Sequence, residues 1–226
     1  RLLEVDKEAG ITLAQRLHKR DEVLVKRAMA DVLTRLFRRI GSDAIPFLED
    51  MLQDDDEIVL AIAASTVSDL RFIDTTLWAD KVAILTKHNL PIVRRNLVVN
   101  LRDYISEFPD DERGILTTLW HDGDEVVRTR LRELLLRMEE VDPQNFALRI
   151  THFIENNVDL QELWTPLKFR RENRYIQWIA WLEGNGEMPS NLLAPSPHQS
   201  SLQESGELPE LSDALDVIDQ ELGFID

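Results

Sequence analysis

Residues 124–138, Asp-Glu-Val-Val-Arg-Thr-Arg-Leu-Arg-Glu-Leu-Leu-Leu-Arg-Met, decide the fold of this 226-residue chain. The acidic start complements the positive end of a helix dipole, and the apolar residues that follow recur at spacings of three and four, as in an amphipathic helix. A fixed period of 20–50 residues is typical of stacked-repeat architectures. Three earlier segments begin alike, with successive starts 35, 34 and 34 residues apart: Asp21-Glu22-Val23-Leu24, Asp56-Glu57-Ile58-Val59 and Leu90-Pro91-Ile92-Val93.

The stretches between these openings also have helical spacing, so the predicted unit is a helix, a turn and a second helix. We expect the intervening helices at residues 43–53, 77–88, 110–121 and 145–156. No alternating apolar run is bounded by hairpin turns, so we expect no strand. The buried stripes of the third and fourth repeats are predicted to be Val93, Leu97, Leu101 and Tyr104, and Val127, Leu131, Leu134, Leu135 and Met138.

Two openings, Pro91-Ile92-Val93-Arg94 and Glu125-Val126-Val127-Arg128, share a Val-Arg pair. Over residues 12–157 this pattern resembles the HEAT-repeat family, in particular its short, bilin-lyase-like bacterial form, although Val25 and Leu60 stand where the first two copies would have Arg. The resemblance implies an all-α, right-handed α-solenoid of four to five HEAT-like helix pairs within residues 1–183. A tetratricopeptide array has a similar period, but its Trp, Gly, Tyr and Ala marks are not in register.

The end of this region, residues 163–182, is rich in aromatic residues and holds three of the five Trp. Aromatic residues at helical spacing usually pack inward, so we expect a C-terminal aromatic cap on the solenoid. The alternative is a platform for a partner, in which Arg170, Arg171 and Arg174 flank exposed aromatic rings.

Beyond the cap, the composition changes. Residues 184–210 contain a run of Gly, Pro, Ser and Gln without periodic apolar residues, which is typical of a flexible linker. Residues 211–226 are predicted to form an acidic amphipathic helix capped by Ser212 and stopped by Gly223. Its apolar residues are Leu211, Leu215, Ile218, Leu222 and Phe224.

The charge of the chain is negative and unevenly placed. There are 26 Lys and Arg against 42 Asp and Glu, which gives a net charge of −16. All 26 basic residues lie at or before Arg174, whereas the last 52 residues hold ten acids. This balance opposes the many Lys and Arg contacts that nucleic-acid binding needs, so we expect no nucleic-acid partner.

The absence of Cys and the length of the apolar runs bear on where in the cell the protein is expected. The chain has no Cys, which excludes disulfides and is compatible with the cytoplasm, where we expect the protein. No apolar run has the roughly 18–20 residues of a membrane span, so no membrane partner is expected. No signal-like segment follows Arg1, and we expect the chain to be a piece of a longer protein.

No catalytic, metal or cofactor motif is found. The five His form neither a His-x-x-x-His pair nor a zinc-protease motif, and the eight Gly form no phosphate-binding loop. The acidic runs 54–57 and 110–112 fall at helix starts and lack the spacing of a calcium loop. We therefore expect no enzyme activity, no cofactor and no metal.

Binding is expected on the second helix of each pair, which usually lines the concave side of a helix-pair solenoid. The repeat alignment predicts a ridge opposite the buried stripes that mixes cations with apolar residues, which is what an acidic amphipathic helix needs. Its partner-binding residues are predicted to be Lys26, Met29, Arg95, Val98, Arg102 and Arg132. The alternative is that these are ordinary solvated positions.

We therefore predict a non-enzymatic scaffold or adaptor that binds a protein partner on its concave face. An acidic amphipathic helix is expected to dock there, either the chain's own tail, with possible self-association, or a partner's helix. The runner-up follows from the resemblance and is a bilin-lyase-like enzyme that handles a linear tetrapyrrole. A solenoid resembling the alkylpurine-DNA glycosylases would need a strongly basic channel, which the charge balance does not favour.

Overall fold

A computed structural model describes residues 6–108 and 113–192. These residues form helices joined by turns and contain no strand, which confirms the prediction of an all-α protein. The chain divides into two units, Arg1–Ser190 and Asn191–Asp226. The predicted tail helix and most of the predicted linker lie outside the described residues. None of the helices in the described part has the length and apolar character needed to span a membrane.

The α-helices are α1 Lys7–His18, α2 Val23–Ile40, α3 Ile45–Met51, α4 Glu57–Thr66, α5 Thr75–Thr86, α6 Pro91–Val99, α7 Leu101–Glu107, α8 Ile115–Trp120, α9 Glu125–Val141, α10 Pro143–Glu155, α11 Gln161–Arg170 and α12 Glu172–Leu182. Two 3-10 helices, Gly41–Ala44 and Val67–Phe72, follow α2 and α4. We call α2, α4, α6, α9 and α11 the second helices, because four of them begin at or just after the repeat openings and α11 follows α10 in the same way.

Local chemistry sets the ends of these helices. The side chains of Asp56, Asp74, Asp124 and Asp142 each accept hydrogen bonds from backbone N–H groups in the first turn of the helix that follows. Helix α2 ends at Ile40 and is followed by the cap residue Gly41, whose φ of +61° is readily adopted only by glycine. The predicted helix at 43–53 begins later than expected, because residues 41–44 form a 3-10 turn first.

Each second helix packs against the next one along the chain. Helix α2 contacts α4, α4 contacts α6, α6 contacts α9, and α9 contacts α11. The preceding helices pack against their own second helices in the pairs α1 with α2, α3 with α4, α5 with α6 and α8 with α9. The predicted stripes of the third and fourth repeats are buried in one core cluster, except that Leu134 is only partly buried.

The C-terminal helix α12 is anchored to α9 through one buried carboxylate. Glu139 is fully buried, and its Oε1 accepts hydrogen bonds from Arg174 Nε at 2.6 Å and from Trp178 Nε1 at 2.9 Å. Arg171 Nη1 reaches its Oε2 at 3.3 Å. Trp178 is also fully buried, with its ring 4.9 Å from that of Phe146. The inward packing expected of the aromatic residues is therefore found at Trp178.

Other aromatic and apolar residues of this region remain exposed. Phe169 is 91% exposed and Ile176 is 55% exposed, although both belong to the aromatic-rich stretch. Of the arginines considered for a partner platform, Arg174 is buried against Glu139 and Arg170 is paired with Glu133. Arg174 also donates to the backbone oxygen of Ser190 at 2.6 Å, which extends the ordered contacts of the first unit beyond the predicted boundary at 183.

Replacing Glu139 with Ala should destabilise the protein by about 3–5 kcal/mol, because Arg174 would be left buried without its carboxylate. Glu140 is the matched control: it is adjacent, pairs with Arg171 and is partly exposed, so Glu140→Ala should cost about 1 kcal/mol or less. Urea unfolding measures both values. Equal costs for the two variants would show that the buried network does not hold α12 in place.

Candidate functional site

The junction between α2 and α4 is held by two adjacent cations and two aspartates, which we call the first clasp. Lys26 Nζ lies 2.9 Å from Asp54 Oδ2. Arg27 makes a two-pronged contact with Asp56, from Nε to Oδ1 at 3.1 Å and from Nη2 to Oδ2 at 2.8 Å. Asp56 also caps α4, because its Oδ1 accepts from the backbone N–H groups of Ile58 and Val59. The Asp56 carboxylate thus caps α4 and also binds that helix to α2.

The junction between α6 and α9 has the same arrangement, which we call the second clasp. Arg94 binds Asp122 through Nε and Nη2 at 2.6 and 2.8 Å. Arg95 Nε donates to Asp124 Oδ1 at 2.9 Å, and Asp124 caps α9 through the N–H of Val127. Every member of this clasp lies 68 positions after its counterpart in the first, as from 26 to 94 and from 54 to 122. The spacing is two repeat periods.

The clasp is absent from the junction between α4 and α6. At the intermediate register, Leu60 and Ala61 occupy the positions of the two cations, while His88 and Leu90 occupy those of the two aspartates. The side chains of Leu60 and Ala61 are buried. Apolar packing therefore joins these two helices where ion pairs join the flanking ones.

An open groove of about 460 Å³ lies over α4 at this unclasped junction, and we call it the α4 groove. Small residues line it: Ala61 stands where the clasped positions have arginine, Ser65 follows on α4, and Ser68 follows in the 3-10 helix Val67–Phe72. Two carboxylates, Asp31 and Asp69, also line it. The remaining lining residues are Ala30, Thr34, Ile58, Ile62, Thr66, Ile92, Asn96 and Asn100.

A second groove of about 490 Å³, the α9 groove, lies between α6 and α9. It differs from the first in charge, because three arginines and two glutamates line it. Its lining residues are Val98, Val99, Thr129, Arg130, Glu133, Leu134, Leu136, Arg137, Glu140 and Arg170. Both grooves are therefore formed mainly by second helices, but they differ in their side chains.

Two of the six predicted partner-binding residues do not lie on an exposed ridge. Met29 is only 4% exposed and Val98 only 1%, so the expectation that they face a partner as surface side chains is wrong. The reason is that a second helix is covered on several sides. Helix α2 contacts α1, α3 and α4, and α6 contacts α4, α5 and α9, which buries a wider arc than the single stripe assumed from the sequence.

Three of the predicted cations are engaged within the protein. Lys26 and Arg95 belong to the two clasps, and Arg132 Nη1 lies 2.5 Å from Glu162 Oε2. Of the four predicted cations, only Arg102 is exposed and has no ion pair within residues 6–108 and 113–192. The ridge therefore offers a partner fewer charges than its sequence suggests. Leu211, Leu215, Ile218, Leu222 and Phe224 lie outside the described residues.

The clasps also set the protonation of their carboxylates. The hydrogen bond from Arg27 lowers the pKa of Asp56 from 3.8 to about 2, with help from the N–H of Val59. Arg95 has the same effect on the pKa of Asp124, which is also about 2. Burial alone would raise the pKa of Asp122, but the Arg94 guanidinium and the N–H of Asp124 outweigh it and lower this pKa overall. These carboxylates are ionised ion-pair partners at neutral pH.

The described residues hold no group of three or more His, Asp or Glu arranged to bind a metal ion. Sequence reasoning missed Arg130 and Arg137, which the structure places in the α9 groove, and Asp31 and Asp69, which it places in the α4 groove. Arg130 and Arg137 follow the predicted Arg95 and Arg102 by 35 positions, whereas the offset between the third and fourth openings is 34, which aligns Thr129 and Leu136 with those two residues. The repeat register therefore gave no signal for these two arginines.

The Asp56→Asn, Asp124→Asn double variant should be less stable than the wild type at pH 7, because Asn retains a capping oxygen but loses the charge that binds arginine. The pKa of Asp56 and of Asp124 is lower in the folded protein than in the unfolded chain. The contribution of the two ion pairs to the free energy of unfolding is therefore fully present above about pH 4 and is lost as the pH falls through about 2. The difference in urea midpoint between the two proteins should therefore shrink between pH 4 and pH 2.

Asp74→Asn is the control for this experiment, because Asp74 caps α5 through the N–H of Leu77 and has no Arg partner among the described residues. The urea midpoint of Asp74→Asn should stay near that of the wild type at pH 7. A gap between wild type and the double variant that is the same at pH 7 and pH 2 would contradict the role assigned to the two ion pairs.

Comparisons of the chain with protein-family models, with curated proteins and with solved structures found no match. Function is therefore inferred from the shape, exposure and charge of the two grooves.

Proposed function

We propose that this protein is a non-enzymatic scaffold that binds another protein on the side of its second helices, and that its helix pairs form a right-handed, HEAT-like α-solenoid. The order of contacts from α2 through α4, α6 and α9 to α11 supports the solenoid, because in such folds each repeat packs mainly on its neighbours. Residues of α2, α4, α6 and α9 then belong to one extended binding surface.

The observation that carries the proposal is the pair of open grooves formed by second helices. The α4 and α9 grooves share α6, which contributes Ile92 and Asn96 to the α4 groove and Val98 and Val99 to the α9 groove. A partner protein can therefore contact both grooves across one helix. Grooves of this openness suit a peptide segment or a helix more than an enclosed small molecule.

The charges of the two grooves support a protein partner over nucleic acid. Asp31 and Asp69 face the α4 groove, where they would repel a phosphate backbone. The clasp cations are not available to phosphates, because they are paired with Asp54, Asp56, Asp122 and Asp124. A protein surface with charges of both signs can complement both grooves at once.

Site-specific photo-crosslinking tests this function. The crosslinking residue p-benzoylphenylalanine replaces Thr34 in the α4 groove or Val99 in the α9 groove, and the full chain is irradiated in an extract of the cells that produce it. Both positions should yield the same protein adduct, identified by mass spectrometry. The control replaces Ile84 of α5, which is 63% exposed and lines neither groove, and should yield no such adduct.

Adducts of equal yield and identity from all three positions would contradict a specific binding surface on the second helices. Failure of both groove positions to yield any protein adduct would contradict the scaffold function itself. Circular dichroism of each variant establishes that the crosslinking residue leaves the helices folded.

A further inference from the structure

The α9 groove has a buried apolar base and one strongly exposed apolar side chain. Val98 and Leu136 lie at its base and are almost fully buried. Leu134 is partly buried, and Val99 is 60% exposed. Val99 and Leu134 thus offer apolar surface that the described part of the chain leaves accessible. Such a strip can take the apolar face of an incoming helix.

The carboxylates of the α9 groove are neutralised from within the protein. Glu133 accepts hydrogen bonds from Arg170 at 3.1 and 3.3 Å. Glu140 is bonded to Arg171 Nη2, which approaches from α12's N-terminal side. Arg170 is thereby paired as well. The two glutamates of this groove consequently contribute little net negative charge to it.

Two arginines of the groove keep an uncompensated positive charge. Arg130 Nη1 donates to the backbone oxygen of Arg95 at 2.6 Å, a contact that fixes the guanidinium without neutralising it. Arg137 has no carboxylate partner within residues 6–108 and 113–192, and both arginines are exposed. They are seven residues apart on α9, which places them about 10 Å apart along the helix axis at about 1.5 Å per residue.

We propose that the α9 groove binds an acidic amphipathic α-helix of a protein partner, whose apolar face packs on Val99 and Leu134 and whose carboxylates pair with Arg130 and Arg137. The inference rests on the proposed scaffold function and names the partner class of that site. Two cations spaced by two turns match carboxylates at the same spacing on a helix lying alongside α9. Val99 and Leu134 line the same groove as the two arginines and can pack against the apolar stripe of such a helix.

This assignment differs from the ridge predicted from the sequence. Arg95 and Arg132 are engaged with Asp124 and Glu162, whereas Arg130 and Arg137 are the cations left for a partner. A nucleic acid would fit less well, since it needs a row of phosphate contacts and has no use for the exposed side chain of Val99. A basic helix would be repelled by both arginines and would instead be attracted by the carboxylates of the α4 groove.

The test measures binding of two fluorescent peptides by anisotropy. One peptide has the sequence of residues 208–226, which contains acidic residues, no Lys or Arg, and apolar residues at helical spacing. The other is a designed amphipathic helix of Glu, Ala and Leu. The receptor is the full chain carrying Leu215→Asp and Ile218→Asp, so that its own apolar tail residues do not compete with the probe.

Binding of at least one peptide is expected, and Arg130→Glu with Arg137→Glu should weaken it by roughly tenfold or more, through lost attraction and new repulsion. The matched control is Arg35→Glu with Arg38→Glu, which changes the net charge equally at two exposed positions of α2 that line neither groove. This control should leave the affinity within about twofold. Val99→Asp should also weaken binding, because it places a carboxylate on the apolar strip.

Three results would overturn the proposal: no binding of either peptide at low salt, equal weakening by the two double charge reversals, or unchanged affinity in the groove variants. Equal binding of an acidic peptide that lacks apolar residues, or tighter binding of duplex RNA, would likewise assign the arginines to another partner class. If the peptides fail while Thr34 and Val99 still yield a specific crosslinked protein, the scaffold function stands and only the partner class is wrong.

Discussion

The use of one aspartate for two purposes underlies this structure. Asp56 and Asp124 each cap the helix that they precede, and each binds an arginine of the preceding second helix. A cap stabilises only its own helix, and an ion pair between exposed side chains contributes little by itself. Because the cap already fixes the carboxylate, little further side-chain entropy of the aspartate is lost when the arginine binds it. The ion pair then fixes the start of one second helix relative to the second helix before it.

The spacing of the ion pairs follows from this arrangement. Among the described residues, all ion pairs except Arg20–Glu22 join positions 28 to 37 apart, which is close to one repeat. These ion pairs therefore join segments about one sequence period apart. The charges of the two grooves that these pairs do not use are Asp31 and Asp69, where the clasp is missing, and Arg130 and Arg137, beyond the second clasp.

The helices were predictable because their signals are local. Acidic caps and apolar residues at spacings of three and four lie within single segments, and Val93, Leu97 and Val127 are buried as that pattern predicts. The exposed surface was harder to predict, since Met29 and Val98 are buried by helices that are distant in sequence. The periodicity of one helix contains no information about its neighbours.

The polar contacts were predictable only in part. The two clasps could have been recognised from Lys26-Arg27 and Arg94-Arg95, each followed 28 residues later by an Asp-x-Asp pair. Nothing in the sequence distinguishes Glu139 from Glu140, although one is fully buried and the other is not. That difference depends on where α12 places Arg174 and Trp178, which is a property of the tertiary structure.

A double-mutant cycle at the second clasp tests the dual role of the capping aspartate most directly. The free energy of unfolding would be measured for Arg95→Gln, Asp124→Asn and the double variant against the wild type, with Arg27 and Asp56 as an independent repeat of the cycle. The account predicts that each double variant loses less stability than the sum of its single variants, because either substitution alone already breaks the pair. Strict additivity at both junctions would contradict it.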